Sequence, residues 1–375
     1  MVTFSRLSTS KLANWWWTVD KLTLSLLMLI IFIGAFLVFS ASPAVARINN
    51  FPDYHFIEKQ VVFIFGALAI LFSVSMMRLK NIRRLSIVCY IIFFLLMIVT
   101  LFAGYETKGA SRWIRILGFT LQPSEFIKPT FVVVSAWLLE GSKKFDDFPG
   151  ALLSAGLYFV TVTMLLLQPD IGMTVVISAV WVFQLFLAGL PLLLVSILGI
   201  CAVIGGVGAY FTFGHFHDRV QQFLFSGGEL SYQVKKSMEA FESGNLLGRG
   251  PGEGVVKMHL PDAHTDFIFA VAGEEFGVWL CLLIILLFAL IVIRALRLSL
   301  KDNNLFIIYA SAGLAATFGL QSIINMASTL HLMPTKGMTL PFISYGGSSI
   351  FASALGMGML LALTRRNSTA EDKDL

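Results

Sequence analysis

Runs of about twenty consecutive apolar residues recur along this chain, and that repetition limits its fold more than any other feature. Each run is long enough to carry a helix across a hydrocarbon layer about 30 Å thick. Inside that layer the backbone must satisfy its own hydrogen bonds, which leaves helices or the strands of a closed barrel. Barrel strands read as segments of about ten alternating residues; these runs are longer and lack a period of two. Composition agrees, since 57% of the 375 residues are apolar and 13% are charged, against about 25% charged in soluble domains. The expectation is an all-α polytopic membrane protein.

Transmembrane helices are expected at about 21–42, 57–77, 83–104, 123–141, 150–168, 170–188, 190–213, 266–293, 304–330 and 342–364, ten in all. The chain then divides into an N-terminal segment (1–20), one membrane domain (21–364) and a C-terminal tail (365–375). The first run is too long for a cleavable signal and lacks a small-residue cleavage site, so it reads as the first span. Trp15, Trp16 and Trp17 precede it, at the headgroup level that indoles favour. Basic residues set the orientation: Arg78, Lys80, Arg83, Arg84, Lys143, Lys144, Arg294, Arg297, Lys301, Arg365 and Arg366 fall on one side with both termini. That side is expected to be cytoplasmic, which makes the one large loop, 214–265 between the seventh and eighth spans, extracytoplasmic. Within it SYQVKKSMEAF reads as a short amphipathic helix lying on the membrane. Gln168-Pro169-Asp170 reads as a tight surface turn. Cys89, Cys201 and Cys281 sit in apolar runs without paired spacing and read as small hydrophobes. The net charge of +5 follows from basic loops and does not indicate nucleic-acid binding.

Polar groups in such a chain need reasons. Asp266 opens the eighth span, and Ala270, Gly273 and Gly277 share its helical face. Small residues let membrane helices approach closely, so that face is expected to point into the bundle, with Asp266 at a protein-lined cavity; the alternative is a helix cap. Glu274 and Glu275 lie deeper in the same span, Glu274 read as a cavity member and Glu275 as a structural pair partner. Glu125 and Lys128, three apart after Pro123, can pair on one helix face, as a structural ion pair or as substrate contacts. KGASRWIRI places Lys108, Arg112 and Arg115 outside the membrane, against the positive-inside trend, which suggests a bound anion. Lys336 and the hydroxyl cluster PFISYGGSS precede the last span; Lys336 and Ser344 are grouped with the ligand contacts, Ser348 and Ser349 with tight packing. The glycines from Gly244 to Gly254 match neither a P-loop nor a dinucleotide fingerprint; they suit close approach of the backbone to a ligand or helix. Arg249 and Lys257 lie among them. Basic groups can hold a diphosphate and a carboxylate can take a proton from a hydroxyl. Together they suggest group transfer from a phosphate-activated lipid outside the cytoplasm, with no sugar identified.

KGASRWI (108–114), QPSEFIK (122–128), QPDIG (168–172), LPDAHTDFIFAVAGEEFG (260–277) and PTKGMTLPFISYGGSS (334–349) resemble the SEDS family (shape, elongation, division and sporulation proteins). The pieces run in the family's order over most of the chain. PTKGMTLPFISYGGSS, the opening WWWTVD and SPAVA (42–46) resemble the division branch of alphaproteobacteria rather than the elongation branch. Asp262 stands where the family often has Glu, which keeps the charge. The resemblance implies a peptidoglycan glycosyltransferase of the bacterial inner membrane, acting at the division septum. Its substrates would be lipid II and a glycan carried on undecaprenyl diphosphate, which is released. Its partners would be a class B penicillin-binding protein and other divisome membrane proteins. The family's essential acid corresponds to Asp266, which would deprotonate or orient the acceptor hydroxyl or hold a divalent cation (Mg2+ or Mn2+) that does. Two rival readings stay open here, a lipid II flippase and a non-catalytic divisome scaffold.

Overall fold

The computed structural model describes residues 10–48, 50–107, 110–116, 119–212, 214–224, 232–334 and 337–365. A short helix, α1 (Lys11–Thr18), is capped by Ser10, whose Oγ accepts from Ala13 N at 3.3 Å. Helices then form over the apolar runs: α2 (Lys21–Ile48), α3 (His55–Ser75), α4 (Leu79–Ala103), α5 (Pro123–Lys144), α6 (Gly150–Leu167), α7 (Ile171–Leu187) and α8 (Leu192–Thr212). After α9 (Gly214–Leu224), α10 (Tyr232–Gly244) and a 3-10 turn over Val256–His259 come α11 (Ile268–Ser299), α12 (Leu305–Thr329) and α13 (Gly347–Leu363). Among the described residues seven of these helices are long and apolar enough to cross a membrane. Helices α7 and α13 are apolar but shorter, and α5 carries Glu125 and Lys128 near its start and Lys143 and Lys144 in its last turn.

The all-α expectation needs one correction. Between α4 and α5 the chain forms a small antiparallel sheet, β1 (Tyr105–Thr107), β2 (Ala110–Ile116) and β3 (Phe119–Leu121), in that order. Trp113 pairs with Tyr105, and Ile114 with Leu121. Aromatic and β-branched residues at alternate positions suit such a ribbon.

The centre of the bundle is built from α5, α12 and α13. Residues 123–136 of α5 are all buried, as are most of α12 and α13. Helix α13 packs on α3 and α5, α12 on α5 and α11, and α11 on α2. Exposed Phe and Leu side chains on α3, α4 and α6 form an outer apolar surface suited to lipid. Helix α1 is pinned to the end of α3, where the Trp15 indole donates to Ser75 Oγ at 3.0 Å and meets Phe72 edge-on. Nearby, Arg294 of α11 makes two hydrogen bonds of 2.6 and 2.7 Å to Asp20, which also accepts from Thr23. Burial alone would raise the Asp20 carboxyl, but Arg294 and Thr23 outweigh it and hold it below its usual range.

The sequence suggested one helix from residue 266; α11 starts at Ile268 and is broken at Gly277, which has φ 72° and ψ −167°. A break frees backbone groups, and here the preceding loop satisfies them. Arg249 N donates to Glu274 O and Gly250 N to Glu275 O, both at 3.0 Å, while Val278 N donates to Asn245 O at 3.2 Å. Only glycine fits: a Cβ at Gly277 would stand 2.3 Å from Leu246 O. Within the loop Gly244 and Gly248 serve approach to this helix, one of the two uses expected, since a Cβ there would stand 1.9 Å from Gly273 O and 2.2 Å from Glu275 O. Helix α10, suggested by the sequence as an amphipathic helix, turns its apolar side to the protein. It buries Val234, Ser237, Ala240 and Gly244, and it packs on α11.

Candidate functional site

Asp266 lies one residue before the end of the 261–267 turn segment and is half-buried. The main chain around it is tied down on two sides. Asn325 of α12 donates to Asp266 O at 3.0 Å and to Met338 O at 2.6 Å. Ser344 donates to Thr265 O at 2.6 Å, and Tyr345 N donates to His264 O at 2.8 Å. Three consecutive carbonyls, from His264 to Asp266, thus anchor the acid to α12 and to the loop before α13. The carboxylate faces that loop, since a Cβ at Gly337 would lie 3.5 Å from Asp266 Oδ2. Beside it His264 packs between Phe56 and Tyr345, with ring centroids 4.6 and 5.0 Å away. Burial pushes its imidazole down to about 4 despite the opposing charge of Asp262, so it is neutral at pH 7.

A second polar centre adjoins the same loop. Lys128 donates to Glu125 at 2.9 Å and to Gln321 Oε1 at 2.6 Å, and Gln321 Nε2 donates to Thr339 O at 3.1 Å. Glu125 and Lys128 are only 5% and 2% exposed, so this pair is withdrawn from water. A cavity of about 30 Å³ lies against it, lined by Glu125, Lys128, Thr317, Gln321, Pro341 and Ser353 among others; it has room for a water or two. Gln321 and Asn325 are one turn apart on α12, and they join the two centres: Gln321 holds Lys128, Asn325 holds the Asp266 backbone, and both grip the 338–339 backbone. Sequence reasoning missed both. Two amides four apart in an apolar run were the available signal.

The remaining residues singled out in the sequence go elsewhere or are committed. Ser344, grouped with ligand contacts, is 3% exposed; its Oγ accepts from Leu340 N and donates to Thr265 O. Glu274 accepts from Val256 N and Lys257 N at 2.7 and 2.9 Å, capping the 3-10 turn rather than facing a cavity. Lys257 is 2% exposed, and its ammonium reaches Glu275 and, at 3.0 Å, Ser40 Oγ of α2. Glu275 is the pair partner expected. Arg249 is exposed, with Nε near Ser243 O at 3.4 Å. Arg112 clamps the α6–α7 turn: Nε donates to Gln168 O at 3.1 Å, Nη2 donates to Pro169 O, and Nη1 lies 3.4 Å from Asp170. That turn is no surface feature, because Gln168 and Asp170 are buried and Gln168 Nε2 donates to Met97 O. Lys108 and Lys336 lie outside the described residues. Among the described residues no three His, Cys, Asp or Glu side chains converge on a metal position. A Mg2+ or Mn2+ at Asp266 would thus draw most of its ligands from substrate phosphates and water, the usual habit of Mg2+.

The family model described as "Cell cycle protein" (FtsW, RodA, SpoVE) matches residues 20–369. The "Probable peptidoglycan glycosyltransferase FtsW" of Caulobacter vibrioides is 42% identical over 98% of this chain and 94% of its own. Its namesake in Trichlorobacter lovleyi is 34% identical over 92% and 93%. Among solved structures, a chain of a peptidoglycan synthase complex that coordinates polymerization and crosslinking superposes with TM-score 0.75. It is 26% identical, over 95% of this chain and 99% of that one. The Thermus thermophilus rod shape determining protein RodA superposes with TM-score 0.69 at 26% identity, over 93% and 97%. With its polar centres gathered at the start of α5, the end of α12 and the segment before α11, the chain belongs to the FtsW/RodA/SpoVE family of cell-cycle proteins, the SEDS family.

Proposed function

We propose that this chain polymerises lipid II into glycan strands, with Asp266 as the acid at the reacting centre. It is a peptidoglycan glycosyltransferase of the inner membrane. The observation that carries the reading is the pinned main chain at His264–Asp266, tied through Asn325 to the same 338–339 backbone that the buried Glu125–Lys128–Gln321 group holds through Gln321. The donor is the glycan on undecaprenyl diphosphate and the acceptor is the 4-hydroxyl of the GlcNAc of lipid II. The acceptor oxygen bonds to the sugar carbon that carries the diphosphate, the bond to that diphosphate breaks, and the proton passes to Asp266. Lys128 sits in a buried, fixed position, where a cation offsets charge on a leaving diphosphate strongly. Lys108 and Lys336 join this set by sequence position. Arg112 acts at one remove, holding the α6–α7 turn, and Lys257 and Glu274 hold the loop behind α11.

Ten helices crossing the membrane with both termini cytoplasmic complete the arrangement, α5 and α13 being shielded by neighbours and α7 short but apolar. The position at the septum and a class B penicillin-binding protein as partner belong to the same reading. A flippase asks for headgroup contacts on both sides of the midplane. Here Glu125, Lys128, Gln321 and Asn325 share one end of the packed α5–α12 pair.

The test is polymerisation of lipid II by the purified chain with its penicillin-binding partner, whose own serine is blocked. Wild type should give long strands and folded Asp266→Asn none. Equal strands from both would remove Asp266 from the chemistry. No strand from either would favour transport or scaffolding.

A further inference from the structure

The break in α11 carries information about depth. On its first segment every residue from Ile268 to Glu275 is buried, wrapped by α10, α12 and the loops. From Val278 onward an exposed apolar row begins: Val278, Trp279, Leu282, Leu283, Leu286 and Leu290. Helix α10, alongside the first segment, turns Lys235, Glu242 and the Lys236–Glu239 pair outward, a face that belongs in water. The whole of α11 would measure about 48 Å at 1.5 Å per residue, well over the roughly 30 Å of hydrocarbon. The part beyond Gly277, about 22 residues or roughly 33 Å, matches it.

At this boundary the loop tip is fastened by the three backbone bonds across the break. Its side chains are Leu246, 60% exposed, and Leu247, 82% exposed, flanked by exposed Asn245 and Arg249. Two large apolar groups held out in this way, level with the first lipid-facing residues and next to an arginine, have the make-up of an interfacial anchor. Trp279, 65% exposed, stands at the same level, where indoles collect.

We propose that the 245–250 turn rests in the bilayer surface, with Leu246 and Leu247 among the acyl chains and Arg249 at the phosphates. Hydrocarbon then begins at Gly277, and Glu274, Glu275 and Asp266 all lie above it. The occupant of the patch is lipid, because the patch continues the lipid-facing row of α11 without a step. The proposal needs only that α11 crosses a membrane and does not depend on the reaction assigned to Asp266.

The experiment places a nitroxide at single cysteines in the full-length chain, with Cys89, Cys201 and Cys281 replaced, in dilute liposomes of phosphatidylethanolamine and phosphatidylglycerol. Collision with oxygen reports lipid and collision with a water-soluble nickel chelate reports water. Leu247→Cys should resemble Trp279→Cys, with an oxygen-to-nickel ratio severalfold above Glu253→Cys and Lys235→Cys. A Leu247 site as open to nickel as Glu253 would overturn the proposal, leaving the tip in water until some other chain covers it. A Trp279 site open to nickel would overturn it as well, since the hydrocarbon boundary would lie deeper. Leu247→Glu supplies a second readout. With the nitroxide on Leu246→Cys, it should raise access of the nickel chelate severalfold while leaving the thermal midpoint in detergent unchanged; unchanged nickel access would count against insertion.

Discussion

Lys128→Met removes the counter-ion of a carboxylate that is 5% exposed and deprives Gln321 Oε1 of its donor. Breaking one partner of a buried pair costs about 3–5 kcal/mol, because the surviving charge is left without compensation. The thermal midpoint of a large domain moves by about 2 °C per kcal/mol, so a drop of about 6–10 °C is expected. Adding Glu125→Gln discharges the stranded acid and should return the midpoint to within about 2 °C of wild type, since a neutral, well-packed pair is often as stable as the ionic one. Neither variant should polymerise lipid II, because both lack the cation. The measurement is a thermal scan in detergent at one fixed rate, as unfolding of such proteins is commonly irreversible. A single substitution that shifts the midpoint by less than about 1 °C would show that Glu125 is solvated, and the reasoning from burial would fail. So would a double variant no more stable than the single.

Arg112→Ala should lower the midpoint by several degrees and slow polymerisation, and Arg112→Lys should restore little, because a lysine cannot span Gln168 O, Pro169 O and Asp170 together; full rescue by lysine would point to charge alone. Gly277→Ala should destabilise by about 2–4 kcal/mol through φ 72° and the clash with Leu246 O; a neutral result in a thermal scan would mean the break is not fixed. Asp20, held below its usual range, stabilises above the unfolded value of about 3.9, and that contribution is lost as pH falls through the lower folded value. Asp20→Asn should therefore cost stability at pH 7, with the gap to wild type closing below about pH 4; a gap constant from pH 3 to 7 would exclude the ion pair as its source.

Much of this architecture was legible because lipid imposes a strong length rule. The apolar runs put helices where α2 to α8 and α11 to α13 stand, and small residues on the Asp266 face did mark a packed surface. Other features depend on partners far away in the chain, which periodicity does not carry. Glu274 and Glu275 look alike in sequence, yet one caps a turn and the other pairs with Lys257. Arg112 read as an anion holder because its partners, the carbonyls of Gln168 and Pro169, are backbone groups without a sequence signature. The small sheet was hidden for a similar reason: β1 and β3 are three residues each, and what defines them is pairing with β2.

The Lys257–Glu275 pair has a consequence for how the chain enters the membrane. Glu274 and Glu275 lie on the outer side of Gly277, so an inserting α11 has to carry both acids across the hydrocarbon, where a charge such as Asp at a helix centre costs about 2.5–3.5 kcal/mol. Lys257 lies only 18 positions before Glu275, so both are synthesised together and the charge can be matched within one loop-and-helix unit. Ser40, the other member of the cluster, is separated from Glu275 by 235 positions and has left the ribosome long before. The expected order of assembly is that Glu275 is paired locally as α11 emerges, and α2 closes over the finished pair afterwards.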